Sequence, residues 1–370
     1  MSLKQSLHLA RWLGPWAAAT GRPEGVCRRT VHVEGPPGDE GFDAWLYWPA
    51  DGPAVGSYVL AHGFHFNGPL DWRLVRLCHI LASAGLAVFV PFLRDFMALR
   101  IAPRAIDDFR RAFVTMRQQP EVPPGRPGVF SISVGSLLAL RLASDPELHQ
   151  EVGGALLFGG FADWAESMAF CLTGELPDGR QVRHDPLNQP AIYMNLVDDM
   201  EGLAVQEVAA LKRAWLRVMQ RTWNQARYDH GANLTEVLDD EVRHVPERIR
   251  GIFLRGCGAG PEGHAAAMKV LEGGFGDERR YLDPRPWLHR VSCPLYLIHG
   301  VDDDVVPVTQ QARLVEALPP GARYRAYQTG LFGHTGSEGT ALNAAAQELY
   351  TMVKMLGALQ AAAKDLGDVV

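Results

Sequence analysis

The sequence predicts an α/β protein in which a mostly parallel central sheet is flanked by helices and interrupted by a helical insertion. Strand-like apolar runs alternate with helical patterns through the first 160 or so residues. The alternation stops over about 162–291, where helical patterns dominate, and it resumes at Cys293. Strands that alternate with helices favour parallel pairing, and strands that are apolar throughout favour a sheet covered on both faces.

Length and composition indicate the number of domains, the class of protein and the kind of partner to expect. A chain of 370 residues exceeds what one hydrophobic core usually supports, so we expect a core with an added lobe. Hydrophobic residues make up 47% and charged residues 21%, as in folded globular proteins. The net charge of −6 argues against a nucleic-acid partner, which would need a basic face. The oligomeric state is left open.

The elements before the insertion follow in order. Two strand-like runs, 30–34 and 42–48, are separated by a turn rich in Gly and Pro and predict a hairpin. Asp71 is placed to cap a helix that ends near Ser83. The other predicted elements are strands over 57–61, 86–93, 128–133 and 154–158 and helices over about 103–118 and 134–144.

The clearest helix of the insertion is predicted over about 204–228. After the insertion we expect strands over 293–298 and 322–328 and helices over 308–318 and 341–363. The predicted organisation is a helical N-terminal segment (1–26), a first core part (27–161), a cap or lid insertion (162–291) and a second core part (292–370).

The N-terminal residues have a weak likeness to a signal peptide. His8 and Arg11 interrupt the apolar stretch, and Gly14-Pro15 would break its helix. We therefore expect a short amphipathic helix on the domain surface, with export or membrane contact as alternatives. The most apolar run, 80–93, is too short to span a bilayer.

The spacing of the cysteines indicates the redox state of the cellular compartment. The five cysteines are scattered and form no C-x-x-C pair. This pattern fits a reducing compartment better than a disulfide framework, so a cytoplasmic location is predicted.

Ser133 is the first candidate catalytic residue. It lies in Ser131-Ile-Ser133-Val-Gly135, between a predicted strand and an apolar helix. A nucleophilic serine is held on a sharp strand-to-helix turn that has room only for small residues two positions before and after it. Ser131 and Gly135 meet that requirement, although glycine is usual at the first position. A buried junction with small packing residues is the structural alternative.

The second pattern is His62-Gly63-Phe64-His65, directly after a predicted strand. In this arrangement the backbone N–H groups of Phe64 and Val134 would form an oxyanion hole. A glycine turn without function is the alternative. A metal pair of His62 and His65 is disfavoured because Asp71 is the nearest third ligand.

Two further patterns supply an acid and a base. In His299-Gly-Val-Asp-Asp303-Asp-Val-Val-Pro307 the spacing Gly-x-x-Asp-x-x-Val-Pro selects Asp303. A carboxylate here can orient a histidine, while an acidic turn that caps the next helix, for example through Asp304, is the alternative. His334 follows glycines in Gly330-Leu-Phe-Gly333-His334, in a loop suited to a general base. A histidine in a solvated loop without function is the alternative.

The order of these motifs is informative. Serine, acid and histidine follow one another along the chain, each just beyond a predicted strand, where sites form in open α/β sheets. The sequence resembles the α/β-hydrolase superfamily, within its esterase, lipase and dienelactone-hydrolase-like group. The motifs that carry the resemblance are HGFH (62–65), SISVG (131–135), HGVDDDVVP (299–307) and GLFGH (330–334). It covers about 42–160 and 293–360 and omits the insertion.

The resemblance implies a serine hydrolase that cleaves a carboxylic ester through Ser133, Asp303 and His334, without a cofactor or metal. The same triad would serve a thioesterase, lactonase, peptidase or acyltransferase, and a non-catalytic binding protein is a further alternative. The expected partner is a small acyl substrate. An apolar group would fit if aromatic and Met side chains of the insertion face Ser133, although such stripes usually form a lobe's own core. Arg180, Arg183 and His184 could meet an anionic substrate or form a solvated turn.

Overall fold

The structure, a computed structural model, describes residues 3–14, 17, 20–259, 263–273, 277–330 and 342–364. The chain divides into two compact units. The core unit comprises Met1–Ala162, Asp283–Val301 and Gln311–Val370, and the helical unit comprises Asp163–Leu282 and Asp302–Gln310.

The described strands of the core unit form one sheet of eight. Their bounds are β1 Val26–Val33, β2 Phe42–Pro49, β3 Gly56–Ala61, β4 Leu86–Pro91, β5 Gly128–Ile132, β6 Gly154–Phe158, β7 Leu295–Gly300 and β8 Tyr324–Thr329. The spatial order is β1-β2-β4-β3-β5-β6-β7-β8. β1 and β2 pair antiparallel, as the predicted hairpin requires, and β2 is antiparallel to β4. The remaining pairs are parallel, so the predicted mostly parallel sheet is confirmed.

The helices lie between and after these strands. Their bounds are α1 Leu3–Leu13, α2 Trp72–Ser83, α3 Arg94–Met97, α4 Pro103–Arg117, α5 Ser136–Ala143, α6 Trp164–Thr173, α7 Gln189–Leu196, α8 Val205–Thr222, α9 Leu234–Glu241, α10 Arg250–Arg255, α11 Ala265–Glu272, α12 Thr309–Glu316 and α13 Leu342–Lys364. Asp71 caps α2 by accepting the Arg73 backbone N–H, as its place in the sequence predicts.

Glycines let α13 lie directly on the central strands. A Cβ added at Gly154, the first residue of β6, would lie 2.8 Å from Cα of Ala362. A Cβ at Gly128, the first residue of β5, would collide with the Ala362 carbonyl. Residues of β3, β4 and β7 are buried throughout, as expected of strands with both faces covered.

The predicted N-terminal helix is present as α1 and packs against α13 and α2 of the core unit. Leu9 is fully buried. The Gln5 side chain donates to the Ala84 carbonyl at 3.1 Å, and His8 Nε2 lies 2.8 Å from the Ser83 hydroxyl. None of the helices within the described ranges has the length and apolarity to cross a membrane.

The helical unit is built from α6 to α11, and within its described residues the β structure is a single bridge between Glu175 and Gln181. Trp215 of α8 is fully buried, its indole N–H donates to the Phe253 carbonyl at 3.0 Å, and its ring meets Tyr193. The prediction that α8 runs to 228 is wrong. The helix ends at Thr222 because Trp223 is extended and Asn224 is left-handed, with φ 63°.

All five cysteines lie in described parts of the chain and are free thiols. Cys27 is half-buried, and the other four are buried.

Candidate active site

The turn that carries Ser133 joins the end of β5 to the start of α5 through one 3₁₀ turn, 133–135. Ser133 has φ 51° and is 6% exposed. A residue with a Cβ in this left-handed region costs on the order of 1–3 kcal/mol and persists only where its surroundings hold it. The N-terminal end of α5, whose dipole favours negative charge, follows directly. This is the strained strand-to-helix turn that a nucleophilic serine requires.

The residues that flank Ser133 explain why the turn can form. A Cβ at Gly135 would lie 2.5 Å from the Ala61 carbonyl oxygen and 2.9 Å from that of His62, so this position requires glycine. Ser131 is fully buried, and its hydroxyl donates to the Leu156 carbonyl at 3.4 Å. Ser131 therefore fits the tight position where glycine is usual.

The loop after β3 passes beside the same turn. A Cβ at Gly63 would lie 3.5 Å from Cβ of Ser133 and 3.3 Å from the Ile132 carbonyl oxygen. Phe64, the predicted oxyanion donor, is the next residue, and its ring packs edge-on against Phe96 at 5.0 Å between centroids. Val134, the other predicted donor, is buried in the 3₁₀ turn. The core unit thus brings the predicted nucleophile alongside the loop that carries Phe64.

Both histidines of this loop are buried and contact backbone groups. Burial lowers the pKa of His62 to about 4, so this imidazole is neutral at neutral pH. Its Nδ1 lies 2.7 Å from the Gly63 carbonyl oxygen. Burial also lowers the pKa of His65, although the nearby Asp71 carboxylate opposes the shift. The sequence predicts neither backbone contact, because the side-chain partners of His62 and His65 depend on the folded loop.

Asp303 lies in the helical unit. It is buried, and its Oδ1 accepts the backbone N–H groups of Val305 at 3.0 Å and Val306 at 2.8 Å. Asp303, rather than Asp304, therefore caps the turn. Asp304 Oδ2 instead lies 3.3 Å from His230 Nδ1, and Asp302 is exposed.

His334, the predicted base, belongs to residues 331–341, which lie outside the described residues. Strand β8, which precedes this segment, ends at Thr329. The predicted oxyanion donors and the nucleophile belong to the core unit, and the predicted acid belongs to the helical unit.

Six aromatic and Met side chains of the insertion are candidates for contact with a substrate. Five are buried, namely Trp164, Met168, Phe170, Trp215 and Met219. The sixth, Trp223, is half-buried and donates its indole N–H to the Leu187 carbonyl. For Trp215 the contacts of the unit's own core account for this burial. Arg180 is paired with Asp178, with 2.7 Å between Nε and Oδ2, which fits a solvated turn. No cluster of three or more His, Cys, Asp or Glu side chains suited to a metal ion occurs in the described part of the chain.

The chain resembles several solved structures, at low sequence identity. No protein-family model matches the chain, and no curated protein matches it. An acylaminoacyl peptidase from Pyrococcus horikoshii superposes with a TM-score of 0.49 and 15% identity over 90% of this chain and 40% of that one. This chain thus spans well under half the length of that peptidase.

Two smaller proteins superpose over more of their own length. Esterase B from Lactobacillus rhamnosis has a TM-score of 0.48 and 15% identity over 98% of this chain and 94% of that one. A 2,6-dihydroxy-pseudo-oxynicotine hydrolase has a TM-score of 0.49 and 14% identity over 93% and 70%.

The topology of the described sheet identifies the fold independently of these superpositions. The eight strands lie in the order 1-2-4-3-5-6-7-8, and the second strand is antiparallel to its neighbours. A serine lies on a strained turn at the carboxyl end of β5. The chain has the α/β-hydrolase fold, as its sequence motifs predict.

Proposed function

We propose that this protein is a serine hydrolase that cleaves a carboxylic ester through an acyl-enzyme intermediate on Ser133. The observation that carries the proposal is the left-handed conformation of Ser133, at φ 51°, beside the backbone of Gly63. A strained serine between a strand and a helix, next to a loop with backbone donors, suits acyl transfer.

The proposed reaction has two steps. His334 takes the proton from the Ser133 hydroxyl while Oγ attacks the ester carbonyl carbon. The N–H groups of Phe64 and Val134 stabilise the resulting oxyanion. When the tetrahedral intermediate collapses, the carbon–oxygen bond to the alcohol breaks and His334 returns the proton to it. A water molecule deprotonated by His334 then attacks the acyl-enzyme, and the acid leaves as Ser133 regains its proton.

Asp303 is proposed to orient His334 and to stabilise its protonated form. Its Oδ1 accepts two backbone N–H groups, which hold the carboxylate in place. No step of this mechanism requires a cofactor or metal.

Hydrolysis of short nitrophenyl esters tests the proposal. We expect Ser133→Ala to lower kcat by about 10⁴-fold or more, and Asp303→Asn and His334→Ala to lower it by about 10³- to 10⁴-fold. Ser136→Ala is the matched control, because Ser136 lies three residues away and its hydroxyl accepts the Phe161 backbone N–H. Ser136→Ala should keep kcat within about threefold of wild type. Retention of wild-type kcat by Ser133→Ala would overturn the proposal.

The type of acyl bond that the protein cleaves is tested by comparing four substrates on the same protein preparation. Ester hydrolysis is predicted to exceed the hydrolysis of an acyl-CoA thioester, a lactone and an aminoacyl nitroanilide in kcat/KM. A reversed order that still depends on Ser133 would assign one of the related acyl reactions. Absence of turnover on all four substrate types by folded protein would favour a non-catalytic binding role.

A further inference from the structure

The loop between β3 and α2 holds its two histidines on either side of Phe64. His62 is 2% exposed and His65 is 8% exposed. His62 packs its ring edge-on against Phe96, at 5.9 Å between centroids, and the Phe64 ring packs on the same Phe96. Each ring hydrogen bonds to the backbone of the loop through Nδ1, whereas Nε2 of His62 has no hydrogen-bond partner among the described residues.

His62 acts on the peptide group that contains the proposed oxyanion donor. Its neutral imidazole donates from Nδ1 to the Gly63 carbonyl oxygen, since a carbonyl can only accept. The Gly63 C=O and the Phe64 N–H belong to the same planar peptide, which is trans, so they point in opposite directions. Anchoring the carbonyl therefore sets the direction of the Phe64 N–H.

His65 ties the other side of Phe64 to helix α2. Its Nδ1 accepts the Asn67 backbone N–H at 3.1 Å, so the proton of the neutral ring is on Nε2. That atom lies 3.5 Å from Asp71 Oδ2, a distance that indicates an electrostatic contact.

Asp71 is a rigid partner for His65. Its carboxylate accepts the Arg73 backbone N–H at 2.9 Å, which caps α2. It also accepts Nε of the Arg73 guanidinium at 3.0 Å and Nη2 at 2.9 Å. Bidentate pairing of this kind fixes the orientation of both groups, so His65 contacts a carboxylate that cannot rotate freely.

We propose that His62 and His65 are positioning residues that hold the Phe64 N–H in the direction needed to stabilise the oxyanion, an inference that rests on the proposed function. Oxyanion donors contribute most when they are oriented before the charge develops. His62 sets the plane of the donor peptide, and His65 with Asp71 holds the loop that follows it.

Paired variants separate hydrogen bonding from packing at His62. His62→Phe keeps a ring against Phe96 and removes the donor, whereas His62→Asn supplies an amide N–H near the position of Nδ1 and removes the ring. We expect His62→Phe to lower kcat for a short nitrophenyl ester by about 10- to 100-fold, with KM within about twofold of wild type. His62→Asn should recover most of the lost kcat.

A second pair separates the two contacts of His65. His65→Asn can still accept the Asn67 N–H but does not reach Asp71, whereas His65→Gln reaches Asp71 and loses that acceptor. Each should lower kcat less than His62→Phe does, by about three- to tenfold, again with little change in KM. Asp71→Asn, which keeps a capping oxygen and loses the charge, should resemble His65→Asn.

The outcomes separate this inference from the proposed function. Thermal unfolding first identifies the variants that fold, and Ser133→Ala serves as the inactive reference in the same assay. Folded His62→Phe and His65→Asn with wild-type kcat, alongside an inactive Ser133→Ala, would overturn the positioning roles alone. Equal loss of kcat in His62→Phe and His62→Asn would also overturn the role of the hydrogen bond. Absence of Ser133-dependent turnover in the wild type would overturn both the function and this inference.

Discussion

Ser133 adopts a backbone conformation that is unusual for a residue with a side chain. Four other described residues that carry a side chain have positive φ, namely Leu99, Asn224, His230 and Asn233. Asparagine and histidine enter this region readily. Serine does so less often, so its surroundings must supply the constraint. The close approach of Gly135 to the Ala61 and His62 carbonyls contributes to that constraint.

Gly135 provides a test of this constraint at the scale of one residue. Gly135→Ala should push the turn away from the Ala61 and His62 carbonyls, lowering the free energy of unfolding by about 1–3 kcal/mol. We expect kcat for ester hydrolysis to fall at least tenfold, since small displacements of a nucleophile are costly. Chemical denaturation and steady-state kinetics measure the two effects.

Ser131→Ala is the control for Gly135→Ala. It removes only the hydrogen bond to the Leu156 carbonyl, which contributes about 1 kcal/mol, and should leave kcat near the wild-type value. A Gly135→Ala variant with unchanged kcat would show that the turn does not need glycine.

The sequence predicts the residues of the turn better than it predicts their supporting contacts. Small residues at 131 and 135 are visible in the motif, and the capping role of Asp71 is visible from its place before an apolar helix. The bond from His62 to the Gly63 carbonyl and the contact between His65 and Asp71 depend on the folded loop. No spacing rule in the sequence contains that information.

At the scale of elements, periodicity predicts the core unit well because its strands are short apolar runs bounded by Gly and Pro. Strand β6, over 154–158, has the predicted bounds, and α4 differs from its prediction by one residue. The end of α8 could not be predicted from apolar spacing, which continues past Thr222. The backbone leaves the helix at Trp223, and the Trp223 indole N–H donates to the Leu187 carbonyl at 2.8 Å.

Helix α1 offers a test of element packing with an internal control. Leu9 is fully buried, whereas Leu7 on the same helix is 62% exposed. Leu9→Ala should lower the free energy of unfolding by about 2–5 kcal/mol, because it leaves a cavity. Leu7→Ala should change it by no more than about 0.5 kcal/mol. Equal effects in chemical denaturation would contradict the observed docking of α1.

At the scale of the whole molecule, the alternation of strands and helices predicts the fold class but not the order of the strands in the sheet. Parallel pairing and right-handed crossovers limit the possible orders without selecting one. The motifs at 62–65 and 131–135 narrowed the choice, because they imply that the ends of β3 and β5 are neighbours. The pairing of Ala61 with Ser131 in the sheet shows that they are.

Substrate choice could not be predicted from the insertion. A buried aromatic side chain gives the same helical pattern whether it packs a core or lines a pocket, and Trp215 packs against Tyr193 and Phe253. The substrate comparison proposed above determines which type of acyl bond the protein cleaves.

The measurement that tests the central claim most directly is labelling with a fluorophosphonate, read out by intact mass and peptide mapping. The account predicts one adduct per wild-type chain, located on Ser133, which is absent in Ser133→Ala and present in Ser136→Ala. An adduct on another serine, or the absence of an adduct on folded wild-type protein, would contradict the assignment of Ser133 as an activated nucleophile.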